Sequence, residues 1–203
     1  MADIPSHHMI YGTLVDYLSG QSIVDTDDER YRQKIARFLV TAKGYSRDEL
    51  IPRLRIETLF NHNFVVSTID LVINLAGQRL VVLRYGPGSL VTRERSAIAA
   101  ARVLHPEYQI PYAVVTNGED AEFLETGRGQ VLARGLAGIP TREEALSLLA
   151  GCEFASPPAG AKREREFRIL NTFDQEECCV GGACALPSAR EGGYEGDKNN
   201  DKN

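Results

Sequence analysis

Apolar positions along the chain recur at two spacings, about every third or fourth residue and every second residue, and the switches between them mark its elements. Thr26-Asp27-Asp28-Glu29 has the spacing of a capping box, so a helix is expected to start there. Tyr31, Ile35, Phe38 and Leu39 then form a buried helical stripe beside a cationic one of Arg30, Lys34 and Arg37, up to Gly44. Residues 52–59, 64–75 and 79–85 are rich in Val, Ile and Leu and read as three antiparallel strands, the last two joined by a turn at Ala76-Gly77-Gln78. Thr92 caps an Ala-rich helix over 93–104 that stops at His105-Pro106, and its Ala97, Ala99, Ala100 and Ala101 allow close approach to a sheet. A strand at 112–116, a small hairpin around Gly127-Arg128-Gly129, and a helix opened by Thr141-Arg142-Glu143-Glu144 follow. The apolar segment 10–18, broken by Gly12 and Gly20, reads as a helical turn.

This order predicts a single α/β domain with a mixed central sheet flanked by helices. It spans residues 25–150, after an N-terminal segment 1–24 and before a linker and cysteine-containing tail, 151–203. The Ser156-Pro157-Pro158 stretch and the charged run 162–168 belong to the expected linker, with residues 167–173 docking it onto the body.

The hairpin of residues 67–85 carries the most specific chemistry. Strict alternation puts Asp70, Val72 and Asn74 on one face and Ile69, Leu71, Ile73 and Leu75 on the other, which singles out the acid. Asp70, this hairpin, the Pro87-Gly88-Ser89 loop, the Ala-rich helix and the strand running into Asn117-Gly118 together resemble the N-terminal domain of type I restriction enzyme R proteins. That family is a branch of the PD-(D/E)XK nuclease superfamily.

The resemblance implies a restriction-endonuclease-like fold, Mg²⁺ and a DNA substrate. It also places a Glu-x-Lys triplet on the second hairpin strand, where this chain reads Leu83-Arg84-Tyr85. Leu83 and Tyr85 occupy the acid and lysine positions if the family's register holds, whereas a slip of one residue presents Arg84 instead. Asp70 is then the remnant of the catalytic set, and Glu29 on the first helix is the one further acid the family pattern offers. Hydrolysis with Mg²⁺ needs at least two carboxylates and a group to manage the attacking water, so the site reads as degraded in either register.

Phosphate binding needs only cations at the right surface, and Arg84, Arg93, Arg95, Arg102, Lys34 and Arg37 are its candidates. The formal net charge of −5 argues against a polyanionic partner for the whole chain. From Arg30 to Arg102, however, thirteen Lys and Arg face five Asp and Glu, a surplus that halves to four if counting begins at Asp25. Cys178, Cys179 and Cys184, with Cys152 as a fourth, are candidate ligands for Zn²⁺ or an iron–sulfur cluster, set against reactive or inert thiols. His7, His8, His62 and His105 do not group, and Ser89 and Ser96 have no triad partners at a recognisable interval.

No apolar run approaches the ~20 residues that cross a bilayer, and the N-terminus lacks a signal-peptide core, so a cytoplasmic protein without membrane partners is expected. No GxxxxGK[ST] phosphate loop occurs, so ATP-driven action is not expected of this chain. Three functions remain open: a DNA-binding module with a degraded nuclease site, a residual Mg²⁺-dependent endonuclease, and a metal- or redox-sensing protein working through its cysteines. A protein partner or homo-oligomer is compatible with each.

Overall fold

The computed structural model describes residues 10–60 and 63–178. It begins with an antiparallel hairpin, β1 (Ile10–Val15) and β2 (Ser22–Thr26), where a helical turn was expected. The glycines explain the difference: Gly12 sits at φ 125 within the bulge of β1 and Gly20 at φ 73 in the connecting turn, conformations that interrupt a helix and suit a hairpin.

The main sheet has six strands in sequence order. They are β3 (Leu50–Phe60), β4 (Asn63–Leu75), β5 (Gln78–Tyr85), β6 (Tyr112–Thr116), β7 (Ala121–Glu125) and β8 (Gln130–Arg134). All neighbours are antiparallel except β5 and β6, whose parallel pairing is made by the crossover through helix α2 (Val91–Val103). Helices α1 (Asp27–Lys43) and α3 (Arg142–Ala150) cover one face of the sheet, around Leu39, Leu71, Leu83 and Val114. Helix α2 and a last helix, α4 (Ala161–Cys178), cover the other, around Val72, Val82, Ala100 and Leu170. The expected mixed sheet flanked by helices is therefore present.

Residues 162–168, expected as linker, lie in α4. This helix places Leu170 fully inside the α2 layer, and Thr58 donates a 2.7 Å hydrogen bond to the buried Asn171 side chain. The lysines, arginines and glutamates of the run give the outer face of an amphipathic helix the composition of a solvated linker. Among the described residues no helix is long and apolar enough to cross a membrane.

Two irregularities in the hairpin position the site. Ala76 (φ 50) and Gly77 (φ 80) form the left-handed two-residue turn that matches strand twist. The second irregularity overturns the expected alternation. Ile69 packs in the α2 layer while Leu71, Ile73 and Leu75 pack in the α1 layer, so the strand changes phase at Asp70. Opposite it, between the pairs Pro52–Leu71 and Leu54–Ile69, Arg53 is held at φ 58. Such a conformation costs a non-glycine residue about 1–3 kcal/mol. Its effect is to turn Asp70 toward α1.

Candidate functional site

Helix α1 starts as expected, with the Thr26 hydroxyl accepting from the Glu29 amide at 3.2 Å. The Glu29 carboxylate does not complete a capping box. It accepts from Arg32 one turn on, and from Arg53 Nε at 2.8 Å and Nη2 at 2.5 Å. Arg32 uses its other terminal nitrogen to donate to Asp70 Oδ1 at 2.7 Å, so one guanidinium joins the acids of α1 and β4. Arg53 Nη2 also donates to Asp16 Oδ1 at 3.0 Å. Three carboxylates and two guanidiniums thus form one network, and Arg32, Glu29 and Asp70 have side chains only 8%, 14% and 9% exposed.

Asp16, at the end of β1, is the most enclosed member at 1% exposure. Burial pushes its carboxyl up, but donors from the Ser19 hydroxyl, Arg53, Gln33 and the Ser19 amide outweigh burial and hold it well below its ordinary value of 3.8. Because the folded pKa is depressed, the stability this group contributes is present above pH 3.8 and is lost as pH falls below it. Urea midpoints measured between pH 5 and pH 2.5 should fall more steeply for the wild type than for Asp16→Asn; parallel curves would remove Asp16 as an acid-sensitive tie.

Asp70 shares the α1 face with both positions of the expected triplet. Leu83 pairs with Leu71 in β4 and is completely buried, with no polar atom to offer. The Tyr85 amide donates to Asp70 Oδ2 at 2.7 Å, and its ring stacks on Tyr31 with centroids 3.5 Å apart and planes 21° from parallel. Burial first, then Asp28, Asp27 and Asp70, push the Tyr85 phenol up, so it stays protonated and cannot act as a base at neutral pH. Leu83 and Tyr85 thus lie on the same face of the sheet as Asp70, helped by the phase change there, while Arg84 lies on the other.

Mg²⁺ requires oxygen ligands with few competing cations around them. Here both Asp70 oxygens and both Glu29 oxygens already accept hydrogen bonds, and Arg32 stands between the two acids. This donor set does not fit the ion as it stands, and among the described residues no three or more His, Cys, Asp or Glu side chains gather into a metal site.

The cationic candidates divide between the two faces. Arg84 is buried on the α2 side, where it donates to the Ser96 hydroxyl. Arg93 is half-buried beside Gly86 at the start of α2, while Arg95 on the same helix is exposed. Arg102 donates to the Thr126 and Gly127 carbonyls and to Glu166. Lys34 and Arg37 are exposed on α1, with the Arg37 guanidinium 4.8 Å from the Tyr17 ring centre. Cys152 is half-buried and unbonded to another cysteine, its thiol pushed up by burial. The side chain of Cys178, and Cys179 and Cys184 altogether, lie outside the described residues, as do His7, His8 and His62.

Sequence reading missed Arg32, Arg53 and Asp16. Arg32 carried a usable signal, because it lies three, four and seven residues before Ile35, Ala36 and Leu39 and so shares the buried stripe of α1. Arg53 and Asp16 carried none, since each depends on chain folded from a distant segment.

Neither the curated proteins nor the solved structures contain a match to this chain. A family model described as the type I restriction enzyme R protein N terminus (HSDR_N) does match, over residues 27–140. That range holds α1, the whole six-stranded sheet and α2, more than half of the chain, and the chain belongs to this family.

Proposed function

We propose that this chain is a nucleic-acid-binding module, with DNA the favoured polymer, built on a nuclease-like frame that no longer cuts. The observation that carries this reading is the Arg32 guanidinium lodged between Glu29 and Asp70. In a metal-dependent nuclease of the PD-(D/E)XK type, those acids face an ion, with a further acid and a lysine beside them. Leu83 and Tyr85 stand at those two positions, so neither a third oxygen ligand nor a cation for the attacking water is supplied. Family membership supports nucleic acid as partner, and loss of turnover leaves phosphate binding intact because binding needs no exact ligand constellation.

The test pairs two assays on the full chain. Gel shifts with duplex and single-stranded DNA over a salt series should show affinity that weakens steeply as salt rises. Incubation of plasmid with Mg²⁺ or Mn²⁺ should leave it intact. Absence of binding at low salt defeats the proposal, and cleavage that disappears in Asp70→Ala replaces it with an active endonuclease.

A further inference from the structure

On the far side of the sheet from Arg32, α2, the β7–β8 turn and α4 enclose an open cleft of about 360 Å³. Four arginines line it, Arg95 from α2, Arg128 from the turn, Arg165 from α4, and Arg102 at its base, against two acids, Glu94 and Glu166. Arg102 ties the Thr126 and Gly127 carbonyls to Glu166, which fixes the turn against α4 and neutralises that acid. Glu94 is pushed up by burial and by the Glu122 carboxyl beside it. Arg95, Arg128 and Arg165 are exposed and have no hydrogen-bond or ion-pair partner among the described residues.

Solvated arginines scattered over a surface need no explanation. Convergence of three from separate segments on one concave mouth, in a chain whose net charge is −5, raises a local positive potential that an anion would relieve. The guanidinium fork matches phosphate oxygens two at a time. We propose that this cleft is the phosphate-binding surface of the module, with Arg95, Arg128 and Arg165 holding backbone phosphates of a nucleic acid on the face opposite the Asp70 network. The inference rests on the nucleic-acid reading and gives it a location.

The experiment compares the wild type, the triple variant Arg95→Gln, Arg128→Gln, Arg165→Gln, and the α1-face variant Lys34→Gln, Arg37→Gln. Each is titrated with a short fluorescein-labelled DNA duplex and with inorganic tripolyphosphate at several salt concentrations. All replaced groups are exposed, and Arg102 is left in place to hold the turn, so unchanged melting temperatures are expected and serve as the folding check. The triple variant should bind duplex at least about tenfold more weakly, with a salt slope smaller by about 2–3, while the α1-face variant binds as the wild type does. Wild-type binding that the triple variant retains overturns the cleft and leaves the module's function standing. Tripolyphosphate binding lost in the triple variant, without any duplex binding, keeps the phosphate site and defeats the nucleic-acid reading. Binding of neither probe by the wild type overturns both.

Discussion

Arg32→Ala is expected to lower the unfolding free energy by about 3–5 kcal/mol, the usual cost of removing one partner from a buried ion pair. Two acids lose their cation at once. Among the described residues, Asp70 keeps the Tyr85 amide and Glu29 keeps Arg53, itself strained at φ 58. Neither acid can turn to water, because their side chains are 9% and 14% exposed. Arg32→Lys should lose less but still lose stability, since an ammonium lacks the fork that reaches both carboxylates. Thermal melts and urea titrations of the three proteins measure this. Millimolar Mg²⁺ should raise the melting temperature of Arg32→Ala and leave the wild type unchanged. A variant as stable as the wild type, or one indifferent to Mg²⁺, would show that the guanidinium does not stand where an ion could.

Leu170→Ala is expected to cost about 2–5 kcal/mol, as truncation of a fully enclosed leucine does. Leu170 is 0% exposed and packs with Ala97, Ala100 and Ile110 beneath α4. The result bears on where the folded unit ends. Were residues after 151 a tail attached to a body complete by residue 150, the substitution would change stability by a few tenths of a kcal/mol at most, as at ordinary surface sites. A large loss, together with poor solubility of a chain ending at residue 151, would assign α4 to the same cooperative unit as the sheet. Equal melting temperatures for Leu170→Ala and wild type would restore the boundary at 150.

Local signals made most of this architecture legible. Thr26 and Thr141 cap their helices, Gly44 ends α1 in the left-handed conformation, and the Ala-rich segment lies against the sheet. Each depends on residues a few positions apart, so the pattern survives in one dimension. Helix α4 was hidden because only its inner positions, such as Leu170, distinguish it from solvated chain, and they are thinly spaced among charges. The phase change at Asp70 was hidden for a different reason. Alternation is a sound rule for a regular strand, but β4 is distorted by a left-handed arginine in its neighbour, and nothing around Arg53 announces that conformation. Without the shift, Asp70 would face α2, away from Leu83 and Tyr85.

The chemistry was half legible for a related reason. The resemblance assigns the triplet to Leu83 and Tyr85, and the folded chain puts both on the face that carries Asp70. The cation that pairs with Asp70 could not be found from that motif, because Arg32 lies outside it, on a helix 38 residues away. Charge also misled in part. The cationic central stretch suggested one basic surface, but Arg84 faces inward, Arg32 is consumed by acids, and Arg128 and Arg165, which complete the exposed cluster, lie beyond the stretch.

The link between α1 and β4 has a last consequence. A counter-charge covalently built into the polypeptide arrives with every newly made molecule and cannot be stripped by a chelator or competed away by a different ion. The junction is then expected to fold identically in metal-starved and metal-replete surroundings, trading responsiveness for constancy.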